Sequence, residues 1–333
     1  MRSTVRAHRH GWGGVVGMAL ACTLAVAGTL IPLRDDASPV QARSSGPVVR
    51  ADYAAASDCT GPVPSLNPAG GSLDGPAVEA IKKRGRLRVG VDQNSYLWGF
   101  RDPATGQFAG FDIAIVKAVA KDILGNENAV QYMTVPTAKR IEKIQNGDVD
   151  MVVRTMTISC SRAEQVAFSA PYFSAGQQIL SADPAITGYN DSLHGKTVCT
   201  ATGSTGEDVL YGRMATSPAS LAGPDPKHGA HVVSVANQLD CLVLLQLHKA
   251  DAVFTDNALA AGQAAQDPSV DLKGGSVTVE PYGVAMKLGD DDLVRRVNKV
   301  LAAYIADGRW AAAYHRWLAD ELPDMKPPAP LYR

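Results

Sequence analysis

The sequence lacks a charge bias of either sign. Its 333 residues carry 32 Lys and Arg against 33 Asp and Glu, which leaves no basic field to gather nucleic acid and excludes that class of partner. Metal-type cysteine spacing is missing too: none of the five cysteines forms C-x-x-C, and none stands with histidines at ligand spacing, so no metal site is expected. No HExxH, Ser-His-Asp order or paired-carboxylate motif is present, and the chain is not read as an enzyme. His228 and His231, in the Pro/Gly-rich "HGAH" loop, read as surface residues rather than ligands. "TGSTG" (Thr202–Gly206) has the small residues of a phosphate loop but not its lysine, and no cofactor is expected.

What is present begins with one long uncharged run. Arg2, Arg6 and Arg9 precede Trp12–Leu33, which reads as an export signal; as a helix it would extend about 33 Å, enough to span a bilayer. Two outcomes stay open: residues 1–33 persist as an N-terminal membrane anchor, or they form a signal peptide removed at "AVA" (Ala25–Ala27) or "VQA" (Val40–Ala42). Cys22 follows "ALA" with no leucine three residues before it, which argues against lipidation. The other four cysteines, Cys59, Cys160, Cys199 and Cys241, are an even number in an exported chain and predict two disulfides, whose connectivity the sequence leaves open.

Residues 34–74 are rich in Pro, Gly, Ser and Ala without apolar periodicity and read as a flexible linker; residues 323–333 read as an irregular tail. Between them strands and helices alternate. "RLRVGV", "VQYMTV" and "DVDMVV" read as strands, separated by the helices "IAIVKAVAKDIL", with Asp112 as its cap, and "AKRIEKIQ". A second unit runs "GKTVCTA", a helix from Glu207, "HVVSV", "NQLDCLVLLQLHK", "DAVFT" and "NALAAGQAAQ", and two helices broken at "DGRW" follow. This order implies an α/β fold with ligand sites outside the carboxyl ends of the strands. No internal sequence repeat is visible.

"GRLRVGVDQNSYLWGF", "GFDIAIVKAVAKDI", "RTMTISCSRAEQVAFSAPYF", "GKTVCTATGSTGEDV", "KADAVFTDNALAA" and "DGRWAAAYHRWL", in that order, resemble the family 3 extracellular solute-binding proteins, above all glutamate- and glutamine-binding members of actinobacteria. The resemblance runs from about Gly85 to Leu318. It implies a two-lobed type II periplasmic-binding-protein fold with two hinge strands: lobe one from 85–174 plus 281–322, lobe two from 175–280, crossing near "YFSAGQQ" and returning near "EPYG". Cys199–Cys241 would then lie within lobe two, and Cys59–Cys160 would staple the N-terminal segment to lobe one. It further implies a monomer at the outer face of the plasma membrane, anchored or secreted. The chain would deliver glutamate, aspartate or glutamine to an ABC permease; the rival reading is a sensor that signals to another membrane partner.

An α-amino acid is a zwitterion, so its site needs a planar cation and an anion at fixed separation. By resemblance, Arg162 in "TMTISCSR" pairs bidentately with the ligand α-carboxylate. Thr157, the backbone of Thr155 and Thr205 add donors, and Asp256 holds the ammonium while also serving as a helix cap. Asp92 ends the first strand, and Tyr96 and Trp98 after it could wall the ligand's aliphatic part. Arg154 departs from the family pattern. A guanidinium at the end of a core strand costs several kcal/mol unless an anion meets it. Two partners are open: a ligand side-chain carboxylate, or Asp92 as a structural ion pair.

Overall fold

The computed structural model describes residues 62–214, 220–221 and 229–333. The expected signal segment, most of the expected linker, Cys59 and His228 lie outside the described residues.

The chain opens with α1 (Pro76–Arg84) and β1 (Leu87–Val91), then a small ribbon of β2 (Asn94–Ser95), β3 (Gly99–Arg101) and β4 (Phe108–Ala109). It continues through α2 (Phe111–Leu124), β5 (Val130–Thr134), a 3-10 turn (Thr137–Lys139), α3 (Arg140–Gln145), β6 (Met151–Val152), α4 (Cys160–Ala163) and β7 (Ala167–Phe168). β8 (Phe173–Ala175) leads into a second unit of β9 (Gln177–Ser181), β10 (Thr197–Ala201), α5 (Thr205–Leu210), β11 (His231–Val235), α6 (Gln238–Gln246), β12 (Ala252–Asp256), α7 (Asn257–Ala264) and β13 (Asp271–Lys273). β14 (Glu280–Tyr282) returns to β15 (Ala285–Met286), α8 (Asp291–Ala306) and α9 (Arg309–Trp317).

Two five-stranded sheets result, ordered β5-β1-β6-β15-β7 and β11-β10-β12-β9-β13. Both are built alike. Three parallel strands in the order second, first, third are followed by an antiparallel strand, β15 or β9, that arrives from the connection between the lobes. The shared topology leaves no sequence repeat because a buried strand specifies only apolar residues and a length. The connection is β8 paired antiparallel with β14, the two hinge strands of the type II fold.

Three local expectations change. Asp112 does not cap α2. Gly110 holds the N-cap position at φ 116, where a Cβ would come within 2.2 Å of the Trp98 carbonyl oxygen. Asp112, 1% exposed, instead accepts from Tyr172 Oη (2.8 Å) and from the Thr155 N–H (3.0 Å). Trp98 is a core residue, fully buried among Phe111, Phe173 and Tyr282, with Nε1 donating to Ala258 O at 2.9 Å. Residues 62–74, the end of the expected linker, are held in place: Asn298, fully buried on α8, donates to Ser65 Oγ and Leu66 O, and Ser65 bridges to Tyr332 in the tail.

Cys199 and Cys241 form a disulfide within lobe two, closing a separation of 42 residues between β10 and α6. Cys160 is also disulfide-bonded.

Candidate functional site

The carboxyl ends of β1 and β6 lie side by side, and each delivers one charge. Asp92 follows β1; its Oδ1 accepts from the Gln93 and Asn94 N–H groups and its Oδ2 from Ser95 Oγ (2.8 Å). Arg154 follows β6. Its Nη1 donates to Thr137 Oγ1 (2.9 Å), and its Nη2 lies 2.8 Å from Asp92 Oδ2. That contact is an ion pair without hydrogen-bond alignment, for Nη2 and Nε, though buried, have no hydrogen-bond partner. Both side chains are almost wholly buried, 4% and 6% exposed. The structural ion pair is therefore formed, yet two of the Arg154 donor positions stay open to another acceptor.

A second and a third guanidinium converge on the same place. Arg162, on the short α4, donates from Nη1 to Thr157 O (3.0 Å) and from Nη2 to Gly203 O (3.3 Å). Arg140, at the start of α3, donates to Thr137 O, to Arg154 O and, from Nη2, to the same Gly203 O (3.3 Å). Gly203 belongs to the other lobe, in the turn between β10 and α5. At φ 74 it lies so near Ala138 that a Cβ would stand 2.9 Å from that residue's Cα. Burial pulls both the Arg140 and Arg162 pKa values down, and for Arg140 repulsion from Arg162 and Arg154 adds to it.

Lobe two answers with Asp256 at the end of β12. Its side chain makes no helix cap; Oδ1 accepts from Gln177 Nε2 and Oδ2 from Tyr282 Oη (2.5 Å). Burial raises its pKa, repulsion from Glu280 raises it further, and the Tyr282 hydrogen bond and the arginines oppose the rise. Thr205 Oγ1 accepts from the same Gln177 Nε2 at 2.9 Å.

Of the nine expected ligand residues, seven line this cleft: Asp92, Arg154, Thr155, Thr157, Arg162, Thr205 and Asp256. Trp98 is core. Tyr96 lies beside the cleft and 36% exposed, with its ring edge-on to Phe100. The expected Thr155 backbone donor is already engaged by Asp112, which holds Thr155 at φ 41. Arg140, Thr137 and Gln177 line the cleft without having been singled out in the sequence. The position of "AKRIEKIQ" just after the carboxyl end of a parallel strand was the available signal for Arg140. Only about 20 Å³ stays free among these groups, the room of a single water.

The chain matches a known family model over residues 87–320, that of the bacterial extracellular solute-binding proteins, family 3. The chain belongs to that family. Among family 3 relatives it is 35% identical over 242 residues to the ABC transporter glutamine-binding protein GlnH of Bacillus subtilis (strain 168), covering 73% of this chain and 84% of the relative. It is 28% identical over 253 residues to the L-glutamate/L-aspartate-binding protein of Pseudomonas aeruginosa, covering 74% and 81%. Among solved structures, an ancestral arginine-binding protein bound to glutamine superposes with a TM-score of 0.62 at 34% identity, over 71% of this chain and 98% of that one. No helix among the described residues is long and apolar enough to cross a membrane.

Proposed function

We propose that this family 3 protein captures an acidic amino acid, glutamate or aspartate, by hinge closure and presents it to an ABC permease, with glutamine as a weaker ligand. One observation carries the reading: three buried guanidiniums, Arg140, Arg154 and Arg162, line the cleft against two lining carboxylates, Asp92 and Asp256. A ligand of net charge −1 balances that set. Arg162 takes the α-carboxylate as a planar fork, and Asp256 takes the ammonium. Arg154, with Arg140 behind it, offers its open donors to the side chain. A carboxylate accepts from them with both oxygens, whereas a glutamine amide has one neutral oxygen to accept with and an NH₂ that can only donate. The protein acts by binding alone, as a monomer outside the cytoplasm, and charge and placement are what support the role given to each residue.

Calorimetry of the protein with a panel of amino acids tests this. Micromolar or tighter binding of glutamate or aspartate is expected, tighter than of glutamine. Failure to bind any amino acid would overturn the proposal.

A further inference from the structure

Gln177 is the first residue of β9, two residues beyond the end of the hinge strand β8, and it is 1% exposed. Its single NH₂ group donates to two residues of the cleft at once, Thr205 Oγ1 at 2.9 Å and Asp256 Oδ1. The orientation of the amide is chemically forced, because the flipped form would set Oε1 against a carboxylate oxygen. Oε1 instead rests over Gly206, where a Cβ would come within 2.7 Å of it. The backbone is pinned as well: Gln177 N donates to Thr278 Oγ1 (2.9 Å), which donates to Glu280 Oε1 (2.8 Å) on the return strand β14.

We propose that Gln177 is a positioning residue that turns the Thr205 hydroxyl and the Asp256 carboxylate toward the two charged ends of an amino-acid backbone. The inference rests on the amino-acid-binding reading above. A hydroxyl has one hydrogen to give. Because Thr205 Oγ1 accepts from Gln177, that hydrogen is left to point into the cleft, where it meets the ligand carboxylate. Asp256 is held from both sides, by Gln177 on Oδ1 and Tyr282 on Oδ2, so its remaining lone pairs face the ammonium. Every α-amino acid carries both groups, so Gln177 governs affinity for the class and leaves the choice of side chain to Arg154 and Arg140.

The test is a double-mutant cycle on ligand affinity with Gln177→Met, Thr205→Val and the pair, measured calorimetrically with glutamate, aspartate and glutamine. Gln177→Met matches the length and removes both donors. Loss of two hydrogen bonds corresponds to about 30-fold weaker binding, equal for all three ligands so that their order is unchanged. The double variant should bind about as weakly as Gln177→Met alone, because a hydroxyl that is no longer oriented has little left to lose; a merely structural role would lower the urea midpoint of the free protein without this loss of affinity. Should Gln177→Met fail to fold, Gly206→Ala displaces the same amide from Oε1 without removing a polar group, and it too should weaken all three ligands alike. Affinities within twofold of the parent, or penalties that multiply in the pair, would overturn the inference while leaving the parent's amino-acid binding intact. A parent that binds no amino acid would instead overturn the functional reading itself.

Discussion

Replacing Arg154 by methionine separates the two roles that this guanidinium can hold. The substitution keeps most of the side-chain volume and removes the charge, so Asp92 loses the cation 2.8 Å away. Breaking a buried pair usually costs 3–5 kcal/mol because the partner is left buried and uncompensated. Asp92 keeps three donors, the Gln93 and Asn94 N–H groups and Ser95 Oγ, so the loss of stability should be nearer to about 2 kcal/mol and the protein should still fold. For a bound glutamate the variant removes charge-assisted hydrogen bonds worth about 1.5–3 kcal/mol, a 10- to 150-fold weakening. Glutamine, which meets the same donors with one neutral oxygen, should lose less than tenfold. Calorimetry with both ligands at constant salt reads the ratio directly. If glutamate and glutamine weaken equally, Arg154 serves only the ion pair with Asp92.

Arg162→Ala should cost every amino acid 100-fold or more in affinity, roughly 3 kcal/mol for a bidentate carboxylate contact, with no change in the order of preference; a selective loss would assign Arg162 to the side chain instead. Asp112 has its pKa raised by burial from 3.8 to about 7. The folded protein then binds a proton that the unfolded chain releases above pH 4, so stability falls as pH rises from about 4 to 7, by up to about 4 kcal/mol. Urea unfolding at pH 5 and 7.5 should show this slope shrink in Asp112→Asn, and an unchanged slope would remove Asp112 as its source. Asp256 must be ionised to hold an ammonium, so ligand affinity should decline as pH is lowered through its raised pKa; a flat profile between pH 8 and 5 in calorimetry would contradict that role. Reducing Cys199–Cys241 opens a 42-residue loop, worth about 4 kcal/mol, and should lower Tm by roughly 5–10 °C in a calorimetric scan.

Much of the fold was legible because strands and helices alternate with clear stops. The two hinge strands and the break before α9 fall where the motifs placed them. The cleft was legible where a residue's type and its position at the end of a strand agreed, as for Asp92 and Asp256, and for Arg162 through the family motif "TMTISCSR" rather than through its position alone. It was illegible where burial alone decides. Trp98 and Tyr96 stand two residues apart after one strand, yet one is sealed in an aromatic cluster and the other is partly exposed beside the cleft. Asp112 has the residue type of a cap, but Gly110 takes that position and frees the carboxylate to support Thr155 from below. Gln177 carries no local signature, since its partners Thr205 and Asp256, 28 and 79 residues further on, come to it only through the folding of lobe two.

The carbonyl of Gly203 accepts from two arginines of the opposite lobe, and both bonds link protein to protein. Their free energy belongs to the equilibrium between parted and closed lobes before any ligand enters. At about 1 kcal/mol each, the two raise the closed-to-open ratio by roughly 30-fold, and apparent affinity rises in proportion as long as the closed form is the minor one. If the protein binds by the hinge closure proposed above, a substitution at this glycine, which is not among the residues lining the cleft, would change how tightly every ligand is held: the position would set the gain of the receptor, while the arginines' remaining donors would set its tuning.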